Sequence, residues 1–121
     1  MAAPNLVNVA TITAKSVQAT LGTTLTTEIL ANASSSGKVF KINTIIIANI
    51  DGTNAADASV AITKSGGSPI MIASTISVPA DATLVVIDKN SSIYLEEGDN
   101  IEAGAGAASD LTITISYEEL S

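Results

Sequence analysis

The chain has 121 residues, 46 % of them hydrophobic, with twelve acids, five lysines and no histidine, cysteine, tryptophan or arginine. These absences exclude imidazole and thiolate catalysis, disulfides, zinc–thiolate and iron–sulfur centres, and bidentate clasping of phosphate. A formal charge of −7 argues against nucleic acid and anionic membranes as partners, and no window approaches the roughly 20 apolar residues of a membrane-spanning helix.

Isoleucine (16), valine (8) and threonine (14) make up 38 residues. Their branching at Cβ suits a pleated surface better than a helix, and the expected class is all-β. From the N-terminus, residues 1–6 read as an extended arm, with no lysine or arginine ahead of an apolar run to mark a secretory signal. Strands are expected at residues 7–14, 16–21 and 25–30, followed by a turn cluster at 33–37.

Residues 39–50 form a longer strand of unusual pattern. Phe40, Ile42, Ile46, Ala48 and Ile50 share one parity, while Ile45 and Ile47 place bulky apolar groups on the other. A strand apolar on both faces must be covered on both, and an antiparallel domain of this size normally covers one face from within. The second face is therefore either a subunit contact, or it lies beneath a loop or the N-terminal segment. Phe40, Ile45, Ile47 and Tyr117 are the interface candidates.

After a polar loop at 51–57, residues 58–78 read as a β-hairpin. Val60 and Ile62 alternate with Ser59, Ala61 and Thr63, and Lys64-Ser65-Gly66-Gly67-Ser68 supplies the turn. Ile70, Ile72, Ile76 and Val78 then recur on one parity up to Pro79. Further strands are expected at 83–88, 91–95 and near Ile101, with turns at 88–90, 97–100 and 104–109. The clearest strand comes last: Leu111, Ile113, Ile115 and Tyr117 alternate with Thr112, Thr114, Ser116 and Glu118. About eight or nine short strands at this spacing indicate a single antiparallel β-sandwich spanning residues 1–121, with jelly-roll and Ig-like topologies both open.

Charge is divided unevenly. Residues 1–80 hold four lysines and three acids, whereas residues 81–121 hold Lys89 against nine acids. Such a split predicts one acidic face or end.

No constellation supports catalysis. The turn Glu96-Glu97-Gly98-Asp99-Asn100 gathers the oxygen ligands that calcium requires, but lacks the EF-hand spacing. Asp51, Asn54 and Asp57 offer a second oxygen set in what reads as a polar strand connection. Asp51-Gly52-Thr53 has the wrong order for an aspartic protease, and Gly104-Ala105-Gly106 lacks the lysine and helix of a phosphate loop. Ser65 beside Lys64 is a formal dyad, yet nothing in a solvated turn lowers the amine's pKa. Asn32-Ala33-Ser34 and Asn90-Ser91-Ser92 match the glycosylation pattern without an export signal to give it meaning. The expectation is a non-enzyme without cofactor or metal.

Several segments carry a resemblance. They are Ser16-Val17-Gln18-Ala19-Thr20-Leu21-Gly22-Thr23-Thr24, the stretch Gly37-Lys38-Val39-Phe40-Lys41-Ile42-Asn43-Thr44-Ile45-Ile46-Ile47-Ala48-Asn49, the turn Ile93-Tyr94-Leu95-Glu96-Glu97-Gly98-Asp99, and the ending from Asp110 to Glu119. Together they resemble the small β-rich virion proteins of marine tailed phages, cyanophages in particular. That resemblance implies a structural protein of the virion, made in the host cytoplasm and placed on the capsid as a decoration (cement) protein, with itself and a major capsid or other virion protein as partners. A tail or neck component is the alternative, and it transfers no catalytic residues. The competing class is a carbohydrate-binding or adhesin module, calcium-assisted through Glu96, Glu97 and Asp99, with Tyr94 and Tyr117 as sugar platforms.

Overall fold

The computed structural model describes residues 7–25 and 28–121. In chain order its strands are β1 (Ile12–Thr20), β2 (Glu28–Ala31), β3 (Val39–Asn49), β4 (Ala56–Thr63), β5 (Ile70–Val78), β6 (Thr83–Ile87), β7 (Ile93–Leu95), β8 (Asn100–Ala105) and β9 (Leu111–Leu120). A single turn of 3-10 helix, Lys89–Ser91, joins β6 to β7; Asp88 caps it by accepting from the Asn90 N–H. The expected strands at 7–14 and 16–21 are one strand, β1, which begins only at Ile12, so residues 7–11 are not strand; the arm expected at 1–6, and residues 26–27 of the strand expected at 25–30, lie outside the described residues.

All strand pairs are antiparallel. One sheet runs β1-β9-β3-β6, with β7 also on β3; the other runs β2-β8-β4-β5. The chain changes sheets at β1–β2, β2–β3, β3–β4, β5–β6, β7–β8 and β8–β9. That order is the jelly roll, two four-strand layers in which β6 and β7 together take one strand position. An Ig-like sandwich keeps its first two strands in one sheet, and this chain does not.

The core lies between the sheets and is asymmetric in side-chain size. The β3–β9 layer contributes Ile42, Ile45, Ile47, Leu111, Ile113 and Ile115, whereas β4 and β8 answer with Ala56, Ala58, Val60, Ile101, Ala103 and Ala105. Large groups on one layer set against small ones on the other allow close packing with little aromatic filler, Phe40 and Tyr117. Each fully buried Ile or Leu contributes about 1.5–3 kcal/mol.

A β-bulge resolves the two-faced pattern of β3. Ile42 pairs with Tyr117 but Thr44 pairs with Ser116, so Asn43 is an extra residue against β9. One inserted residue exchanges the faces of everything beyond it. Phe40 and Ile42 before the bulge and Ile45 and Ile47 after it therefore all face inward, at 5 %, 0 %, 0 % and 0 % exposure. Tyr117, at 8 % exposure, is likewise interior, its ring 5.1 Å from that of Phe40. The four side chains expected at a subunit contact are core, and neither a neighbour nor a loop is required to cover them. Ile46 and Ala48 take the outer face beside Thr114 and Thr112, and Ile50 lies beyond the strand, exposed.

Candidate functional site

Each end of the sandwich is organised by a buried asparagine. At one end Asn32, 1 % exposed, donates through Nδ2 to the carbonyls of Lys38 and Leu95 and accepts from the Ser36 hydroxyl. At the other, Asn49 donates to the carbonyls of Asn54 and Val78 and accepts from the Asp51 N–H. Each amide thus ties loops that are distant in sequence, which satisfies carbonyls the sheets leave unpaired.

The acidic turn between β7 and β8 belongs to the Asn32 end. Asp99, 1 % exposed, accepts from the Lys64 ammonium at 2.6 Å, the Ser65 N–H at 3.1 Å and the Glu96 N–H at 2.9 Å. Lys64 also pairs with Glu96, and Glu97 accepts from the Gly37 N–H. Gly98 sits at φ +86°, and a Cβ there would lie 2.7 Å from Ser65. These contacts make the turn a clamp on the β4–β5 turn and the β2–β3 loop. The carboxylate proposed as a calcium ligand already holds an ammonium and two N–H groups. Hydrogen bonds to Asp99 and then Glu96 raise the Lys64 pKa above its ordinary value, the reverse of what a Ser65–Lys64 dyad needs.

The Asp51 loop is a separate structure. Asp51 accepts from the N–H groups of Thr53 and Asn54, and these bonds, Thr53 first, hold its carboxyl below the usual range. Asp57 lies apart on β4, opposite Ser77. Among the described residues, no group of three or more acids is arranged to hold a metal ion.

Charge does not separate as its sequence distribution predicts. Lys15 and Lys38 both pair with Glu119, and Lys64 pairs with Glu96 and Asp99. Each ion pair joins a lysine of the first 80 residues to an acid of the last 41, because β9 lies between β1 and β3 and the β7–β8 turn meets the β4–β5 turn. Burial pushes the Glu119 pKa up, but the two lysines outweigh it and hold the carboxyl below its ordinary value. Burial, and then the Glu119 charge, raises the neighbouring Tyr117 phenol.

A shallow cleft of about 230 Å³ on the outer face of the β8–β4–β5 sheet is lined by Leu25, Asp57, Ser59, Thr75, Gly104 and Gly106 among others. It offers one carboxylate and several hydroxyls, a set without an acid–base pair. Of the two rings expected as sugar platforms, Tyr117 is interior, whereas Tyr94 is 45 % exposed on β7 opposite Lys41.

The feature that the sequence does not reveal is the exposed edge position of β5, a strand otherwise expected as the second half of the 58–78 hairpin. This strand ends its sheet and carries Ile70, Met71, Ile72 and Ile76 at 65 %, 39 %, 37 % and 41 % exposure. Ile76 pairs with buried Ala58 and so belongs to the inner face, yet it remains uncovered. β6, the nearest strand of the other sheet, has five residues against nine in β5. The signal in the sequence was the absence of any charge from Ser65 to Ala80, which gains meaning only once this strand is known to lie at an edge. No protein-family model matches the chain, and comparison with curated proteins finds no match.

Proposed function

We propose that the chain is a non-enzymatic structural protein of a phage virion, a capsid decoration protein that works by protein–protein contact, between its own copies as well as with the head. The carrying observation is the uncharged apolar edge along β5, in a domain where Lys15, Lys38 and Lys64 are taken up in ion pairs within the chain. A long bare edge of this kind marks a contact surface. The resemblance of the quoted segments to marine phage virion proteins supports the setting. The jelly roll, common to viral capsid and lectin domains, agrees with it by analogy of fold alone. The partners on this reading are a major capsid protein and further copies of the chain, without cofactor, nucleic acid or membrane.

The test is quantitative mass spectrometry of purified particles. On the order of hundreds of copies per particle places the protein on the head, whereas about a dozen places it in a closed tail or neck ring. Absence from washed particles rejects the virion role. Retention on glycan arrays, abolished by Tyr94→Ala, would replace it with a carbohydrate-binding module.

A further inference from the structure

We infer that β5 is the contact between two copies of this chain, joined about a two-fold axis near Ser74; this rests on reading the protein as a part that works by protein contact. Two sheets present four lateral edges, and three of them are guarded. β2 is four residues long and begins with Glu28, β1 carries Lys15 and a polar run Ser16, Gln18 and Thr20, and the β6–β7 edge is split into strands of five and three residues. Short strands and charges are what native proteins use to keep edges from pairing. β5 has nine residues and no charge or proline.

The occupant follows from two features of that strand. First, residues equidistant from Ser74 are alike: Ile72 and Ile76, then Ile70 and Val78. About a two-fold axis near Ser74, the Ile72 side chain of one copy packs against Ile76 of the second, and symmetry makes that contact twice. Val78 is already interior, so Ile70 and Met71 flank the central pairs. Second, each copy carries a formal charge of −7, which opposes close approach of identical surfaces. The uncharged run from Ser65 to Ala80 is where two copies meet with least repulsion. A basic or acidic partner would find no charge there to recognise.

The strand also limits the association to a pair. Relative to β4 it holds one extra residue at Ile72 and another within Ser74–Thr75, where Thr75 takes φ +51° and donates its N–H to the Ser59 hydroxyl. These bulges interrupt the free row of N–H and C=O groups, so side chains rather than a continuous ladder make the contact. Each copy has one such edge, and the two-fold closes it.

Sedimentation equilibrium of the full chain tests this. Wild type is expected to reach dimer mass, and Ile76→Lys to weaken dimerisation by about 100-fold with an unchanged circular dichroism spectrum. Ser74→Cys, the sole thiol in a chain without cysteine, is expected to form an intermolecular disulfide under mild oxidation that is lost in the Ser74→Cys, Ile76→Lys double variant. A wild type that stays monomeric to about 1 mM, or a dimer indifferent to Ile76→Lys, overturns the proposal. A monomer that still coats heads would overturn this contact and leave the virion role standing; a dimer absent from particles would do the opposite.

Discussion

Removing the Asp99 carboxylate should be among the most costly single changes outside the apolar core. Asp99→Ala leaves the Ser65 and Glu96 N–H groups without their acceptor and Lys64 with Glu96 alone. Each hydrogen bond to a charged acceptor is worth about 1.5–3 kcal/mol. The Lys64 side chain is 53 % exposed and regains water, so its share is at most about 1 kcal/mol. With some water entering the gap, the expected loss is about 3–5 kcal/mol. For a domain of this size that lowers Tm by roughly 10–20 °C, measured by far-ultraviolet circular dichroism at neutral pH and by the urea midpoint. Lys64→Met leaves the buried Asp99 carboxylate its two backbone N–H groups but no counter-charge, and should cost less, about 1–3 kcal/mol. If Asp99→Ala lost no more than Lys64→Met, the two backbone bonds would not be what holds the turn, and the clamp would be misassigned.

Four further outcomes follow from the same geometry. Ile47→Lys is expected to abolish folding, since an unpaired cation at a fully buried site costs several kcal/mol against a total of about 5–15, whereas Ile46→Lys, one residue away on the outer face, should leave a soluble protein with wild-type circular dichroism; equal effects would place the β3 bulge elsewhere. Gly98→Ala should destabilise by about 1–3 kcal/mol through its positive φ and the contact with Ser65, while Gly22→Ala, with open space around it, should change Tm little. Glu119 has a folded pKa below the 4.5 of an ordinary glutamate, so its contribution is present above that pH and lost as pH falls through the folded value; the Tm gap between wild type and Glu119→Gln should close in acid. Calcium at millimolar concentration should not raise Tm, and a rise that Asp99→Asn removed would return the β7–β8 turn to consideration as a cation site.

The parts of the fold that were legible in the sequence are those fixed by unbroken local alternation. β9 is the clearest: Leu111, Ile113, Ile115 and Tyr117 are buried and Thr112, Thr114 and Ser116 are half-buried, as a period of two requires. β3 is legible as a strand, but its faces are not. The bulge at Asn43 is set by pairing with β9, more than sixty residues away, and no local pattern marks it. A count of apolar parity across an unseen bulge makes a core strand look two-sided and places the buried Ile45 and Ile47 on a face of their own. β5 shows the converse. Its alternation of Ile70, Ile72, Ile76 and Val78 read as an ordinary half-buried strand, yet two bulges and a short neighbour leave most of it exposed. The acidic turn was equally opaque, because the lysine that neutralises Asp99 lies 35 residues earlier in the chain.

The uneven charge of the sequence has a different consequence once the sheets are assembled. In an unfolded chain the nine acids beyond Ala80 stand close to one another with Lys89 alone among them. Folding brings Lys15 and Lys38 to Glu119 across the β1–β9–β3 layer and Lys64 to the β7–β8 turn. The opposite end receives no lysine: its loops at 50–55, 79–82 and 106–110 carry Asp51, Asp81 and Asp110, and the Asp81 N–H donates to the Asp51 carbonyl. The acidic end expected from the C-terminal third is therefore a different one, assembled from both parts of the chain. Among the described residues these carboxylates have no lysine partner, and Asp81 is exposed while Asp51 and Asp110 are half-buried, so salt should screen this end more than the paired one. On that ground a docking partner that approaches end-on should meet the Asn49 end if it is basic. An acidic neighbour should be tolerated at the Asn32 end, where Lys38 and Lys64 offset the carboxylates.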